Sequence, residues 1–85
     1  FVTEWGTSDA SGGGGFYMEK SKVWLSFLKK HKISWVNWSV NNKGEESGAL
    51  VYNADREGKG NWKEADLSES GRFIRKVLRN EIKIP

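Results

Sequence analysis

One carboxylate in this sequence is placed where chemistry is usually done. Glu4 lies in Phe1-Val2-Thr3-Glu4-Trp5-Gly6, an apolar and β-branched run that gives way to the small polar residues Thr7-Ser8-Asp9-Ala10. Such a run reads as a strand, in which Val2, Glu4 and Gly6 share one face and Phe1, Thr3 and Trp5 the other. Glu4 then stands where strand becomes loop, the edge at which parallel α/β proteins collect their reactive groups. The plain alternative is a half-exposed strand-end acid with no task, so the rest of the chain has to decide.

Other reactive residue types are scarce. The chain has no cysteine and a single histidine, His31, which excludes a Cys/His zinc site, a cysteine nucleophile and a disulfide framework. His31 sits in Lys29-Lys30-His31-Lys32, a basic run suited to a helix C-terminus, and reads as a surface residue rather than a general base. Gly12-Gly13-Gly14-Gly15 lacks the Gly-Lys-Ser/Thr of a phosphate loop and the spaced glycines of a dinucleotide turn, so it reads as flexible loop. Five tryptophans in 85 residues point either to an aromatic core or to platforms for flat ligands such as sugars and bases. The net charge of +3 is concentrated in the 29–32 run and in Arg72, Arg75, Lys76 and Arg79. Solvated helix ends account for it better than a nucleic-acid surface does. No apolar run approaches a membrane span, and neither a metal nor a cofactor is expected.

These residues need elements to position them. Between Phe16 and Lys32 the apolar residues Tyr17, Trp24, Leu25 and Leu28 recur at helical spacing, with Trp24 and Phe27 read as packing residues. Ile33-Ser34-Trp35-Val36-Asn37-Trp38-Ser39-Val40 follows directly and reads as a buried strand. A helical crossover makes the two strands parallel and right-handed, so Glu4 and Trp38 reach the same rim. A long polar stretch, 41–66, leaves from that rim, and loops of such length are commonly functional. A second helix is expected over 67–82, capped by Ser68, with Phe73, Ile74, Val77, Leu78 and Ile82 as its apolar stripe.

The predicted fold class is therefore α/β, two βα units in one domain spanning 1–85. Two buried parallel strands do not persist as a sheet facing water, and Phe1 already stands inside a strand pattern, so a longer chain is expected. An eight-unit barrel runs to about 250 residues, of which two units with a long loop make roughly the last third.

Three stretches carry a resemblance. Val2-Thr3-Glu4-Trp5-Gly6-Thr7-Ser8-Asp9-Ala10-Ser11, Ile33-Ser34-Trp35-Val36-Asn37-Trp38-Ser39, and Asp66-Leu67-Ser68 with Ser70-Gly71 together resemble the C-terminal end of family 5 glycoside hydrolases, the bacterial endo-β-1,4-glucanases. The resemblance implies a TIM (β/α)8 barrel, of which this chain would supply strands 7 and 8 with their helices, and a secreted, retaining hydrolase acting on β-1,4-glucan. It implies that Glu4 is the nucleophile and that Trp38, followed by a cis peptide to Ser39, is the platform under the sugar. It further implies that Lys43 and Glu45 hydrogen-bond a glucose on the non-reducing side. The chain departs from the pattern at Asn42, where an Asp commonly precedes the Lys, and through 51–61, leaving Trp62 open between packing and binding. A retaining glycosidase also needs a second acid about 5 Å from the nucleophile. The family takes it from an Asn-Glu pair after the fourth strand, whereas the one such pair here, Asn80-Glu81, falls at the end of the last helix. The chain alone is thus expected to be inactive, needing the missing barrel portion as partner or covering its open edges by self-association. A non-catalytic glycan-binding module and a nucleic-acid binder are the competing readings.

Overall fold

The computed structural model describes residues 1–9 and 14–85. Of the loop expected over 8–15, residues 10–13 therefore lie outside the described residues. The elements run β1 (Val2–Trp5), α1 (Met18–Lys30), β2 (Trp35–Asn37), a 3-10 turn (Glu64–Asp66) and α2 (Glu69–Leu78). β1 and β2 pair in parallel, as the crossover requires, and form a two-stranded sheet.

Both helices follow from local chemistry. α1 carries Glu19 in its first turn and Lys29 and Lys30 in its last, matching the helix dipole at each end. Ser68 caps α2, its hydroxyl accepting the Gly71 N–H at 3.0 Å. The two helices close in the same way. Lys32 (φ 55°) and Asn80 (φ 57°) turn left-handed, and the next N–H returns to a last-turn carbonyl: Ile33 to Leu28 at 2.9 Å, Glu81 to Lys76 at 2.8 Å.

The core lies between the sheet and the helices. Leu25 of α1 meets Phe73 and Ile74 of α2, with Trp5, Phe16, Trp35, Val77, Ile82 and Ile84 packed around them. Trp5 and Trp35 meet edge to face at 5.2 Å between ring centres, which ties the two strands to that core. Burial of each large side chain here contributes about 1.5–3 kcal/mol. A smaller apolar cluster joins the loop to α2: Ala49, Leu50 and Leu67 are buried, Leu50 and Leu67 form an antiparallel bridge, and the Ser68 N–H reaches the Ala49 carbonyl at 3.0 Å.

Several expectations are corrected. The second strand is Trp35–Asn37 rather than 33–40, and the stretch expected to be buried is not: Val36 in the strand is 48% exposed and Val40 beyond it 62%. A two-stranded sheet with helices on one side has nothing to cover its other side. Trp24 and Phe27 leave the core and stack on each other, ring centres 5.6 Å apart and planes 8° from parallel, on a flank of α1 that no described element covers. Leu78 is exposed, since α2 ends there, while Ile82 reaches the core from the tail beyond the helix. Strict alternation along β1 also fails: Val2 pairs with Trp35 and Trp5 with Asn37, three steps against two. The extra residue falls at Thr3–Glu4, and both are exposed while Val2 and Trp5 are half-buried. Irregularities of this kind re-aim side chains at sheet ends. Among the described residues no helix is long and apolar enough to cross a membrane.

Candidate active site

One rim gathers the beginnings of both helices and the ends of both strands. β1 runs into Thr7, whose carbonyl accepts the Tyr17 N–H at 2.8 Å where α1 begins. The Thr7 hydroxyl meets the Ser70 hydroxyl of α2 at 2.6 Å, both side chains buried. Ser68 in turn donates to the Gly48 carbonyl. Four separate pieces of chain are thus fastened at one level, and the paired Thr7 and Ser70 hydroxyls satisfy one another there, while the neighbouring Ser47 hydroxyl is buried without a partner. Sequence reasoning missed Thr7–Ser70, because a Ser/Thr pair 63 residues apart carries no periodic signal.

The predicted site residues converge on this rim. Glu4 stays exposed on β1, clear of the helix-side core. The Trp38 N–H donates to the Trp5 carbonyl at 2.5 Å, which sets Trp38 beside the residue that follows Glu4. Its side chain is 51% exposed, and the Trp38–Ser39 peptide is cis, as the resemblance led one to expect. A side chain on Gly6 would come within 3.1 Å of the Trp38 carbonyl, so the Glu-Trp-Gly run leaves room for this close strand approach.

Lys43 and Glu45 follow on a turn ordered by Asn41, a residue that sequence reasoning did not single out. The Asn41 amide donates to the Ser39 hydroxyl at 2.7 Å and, more weakly, to Glu45 at 3.5 Å. Its side-chain oxygen accepts the Lys43 N–H at 3.1 Å, and its carbonyl takes the Leu50 N–H at 3.1 Å. Asn directly after a strand is a turn signal, and that was the available clue. Lys43 projects into solvent and Glu45 is half-buried. The departure at position 42 has a structural counterpart. The Asn42 amide donates to the Ala54 carbonyl at 2.9 Å, a bond an ionised Asp has no proton to make.

Trp62 is held by Asp55. The Asp55 carboxylate accepts from the Trp62 indole N–H at 2.6 Å, the Lys59 N–H at 2.8 Å and the Gly60 N–H at 2.9 Å. These bonds favour the ionised form: the Gly60 N–H most, then the indole and the Lys59 N–H, hold the carboxyl below its ordinary range. Because the folded-state value is depressed, the stabilisation is present above the unfolded carboxylate value of about 4 and is lost as pH falls below it. Asp55→Asn is therefore expected to lower the urea midpoint at pH 7, with the gap to the parent protein closing below about pH 4. A gap of constant size from pH 7 to pH 3 would show that the carboxylate does not order this loop. At the start of α1 the negative charge of Asp9, with smaller effects of burial and a hydrogen bond between them, raises the Tyr17 phenol above its usual value.

Glu81 is removed from all of this. α2 has ten residues, about 15 Å of helix, and Glu81 lies past its far end. The Asn80-Glu81 pair is therefore on the rim opposite Glu4.

Comparison with known proteins identifies the family. Residues 1–44, just over half the chain, match the Cellulase (glycosyl hydrolase family 5) profile. The chain belongs to glycosyl hydrolase family 5. Endoglucanase N of Pectobacterium atrosepticum is 49% identical to this family 5 chain over 79 residues, 93% of the chain and 17% of that protein. Endoglucanase A of Evansella cellulosilytica is 44% identical over 85 residues, 100% of the chain and again 17% of the relative. Among solved structures, a thermostable, halotolerant GH5 cellulase from an Icelandic hot spring isolate superposes with a TM-score of 0.88 at 44% identity, covering 100% of this chain and 27% of that one. The family 5 chain thus spans about a sixth of the curated relatives and about a quarter of the solved catalytic domain, which is a TIM barrel.

Proposed function

We propose that this chain forms strands 7 and 8, with their helices, of a retaining endo-β-1,4-glucanase barrel, and that it supplies the nucleophile and the sugar platform. The observation that carries the reading is the placement of exposed Glu4 at the irregular end of β1, with Trp38 joined to the neighbouring Trp5 by a backbone hydrogen bond on the rim where both helices begin. In this reading the Glu4 carboxylate attacks the anomeric carbon and forms a glycosyl–enzyme ester. The second acid, supplied from outside this chain, protonates the departing glycosidic oxygen. The same acid then takes a proton from water, whose oxygen attacks the anomeric carbon and releases Glu4. Trp38 offers its face to the C–H surface of the pyranose, and Lys43 and Glu45 meet hydroxyls of a glucose on the non-reducing side. The rest of the barrel covers the open sheet and the exposed Trp24–Phe27 flank. Because the substrate is a polymer too large to enter a cell, the enzyme acts outside it, as a secreted protein.

The test is complementation. Mixed with a polypeptide carrying the first six βα units, this chain is expected to co-elute as a one-to-one complex and to hydrolyse soluble cellulose derivatives, while either piece alone is inactive. A well-formed pair without activity on any β-1,4-glucan would overturn the reading.

A further inference from the structure

The loop after β2 presents an aromatic ring that the proposed mechanism does not use. Tyr52 is 76% exposed, yet its ring packs over Gly44, with Cδ1 3.5 Å from where a Cβ on Gly44 would lie. Gly44 stands between Lys43 and Glu45 in a left-handed conformation, φ 83°, which a glycine adopts without strain. The backbone on either side of the ring is pinned: the Val51 N–H to the Asp66 carbonyl at 2.9 Å, and the Asn53 N–H to the Asn42 carbonyl at 2.9 Å. The Asn42 amide adds its bond to Ala54, so the two departures from the family pattern, at 42 and through 51–61, act together to fix residue 52. An exposed aromatic on immobilised backbone costs little entropy to bind against.

Beside it lies a depression of about 270 Å³ lined by Gly44, Glu45, Glu46, Tyr52, Ser68 and Glu69, among others. An aromatic face rimmed by carboxylates and a hydroxyl suits a neutral polyol, whose C–H face stacks and whose hydroxyls donate outward. The same three glutamates repel a phosphate chain, which disfavours a nucleic acid here. We propose that Tyr52 forms an additional glucose-binding position adjoining Lys43 and Glu45, extending the cleft by one unit of the same β-glucan chain. This rests on the reading that Lys43 and Glu45 face the glucan.

The experiment is calorimetric titration of the complete enzyme carrying this segment, in a Glu4→Gln background that prevents turnover, with cello-oligosaccharides from three to six units. Tyr52→Ala is expected to weaken binding of the longest oligosaccharide roughly tenfold while leaving the shortest unchanged, with Tyr52→Phe close to the parent. Equal weakening at every length, or none at any, would overturn the proposal. Lys43→Ala separates the two layers of the argument. If the underlying reading is wrong, Lys43→Ala leaves all lengths unaffected. If only the Tyr52 position is wrong, Lys43→Ala weakens binding and Tyr52→Ala does not.

Discussion

Glu4→Gln in the complete enzyme is expected to lower kcat on soluble cellulose derivatives by roughly 10³-fold or more, with little change in KM or in thermal midpoint. The amide keeps the size and hydrogen-bonding reach of the carboxylate but has no anionic oxygen to attack the anomeric carbon. Because Glu4 is exposed and makes no contact with the Leu25–Phe73–Ile74 core, the substitution has no route to a large effect on stability. The split between kcat and KM therefore separates a nucleophile from a residue that merely binds sugar. Activity within a few fold of the parent would remove Glu4 from the mechanism.

Gly71→Ala is expected to destabilise the fold by about 2–3 kcal/mol, against the direction that helix propensity gives. Taken alone, Gly to Ala inside an exposed helix gains up to about 1 kcal/mol. Here a Cβ would stand 2.0 Å from the Ala49 carbonyl oxygen, 2.8 Å from its carbon and 3.0 Å from its Cα, all backbone atoms that no rotamer change can move. That carbonyl is already held by the Ser68 N–H, and the Gly71 N–H by the Ser68 hydroxyl, so α2 can make room only by lifting from the 48–50 loop. Thr7–Ser70 would go with it, loosening the rim that carries Glu4. Thermal unfolding against Lys76→Ala, an exposed change on the same helix, measures the difference. A Gly71→Ala protein as stable as the parent would refute the close approach. The Ser70-Gly71 pair, noticed only as part of a resemblance, thereby acquires a steric reason.

Local chemistry made much of this chain readable in advance. The β-branched start around Glu4, the helical spacing of Leu25 and Leu28, the Ser68 cap and the strand–helix–strand–helix order each depend on neighbours within a few residues, and amino-acid types report such neighbours directly. The parallel pairing followed from the length of the crossover. What the tertiary structure alone decided lies where distant segments meet. The register slip at Thr3–Glu4 comes from fitting β1 to β2, and the exposure of Trp24 and Phe27 from which helix flank has a neighbour. The turn that carries Lys43 and Glu45 depends on four contacts of Asn41, and the bare Cα of Gly71 on the approach of Ala49. Periodicity names the residues that prefer burial, but the chain's own packing determines which of them find cover, and a strand's final register is settled only against its partner. Sequence alone thus placed Glu4 near the end of a strand, on the same rim as Trp38; the fold decided that a register slip leaves it exposed there, clear of the core.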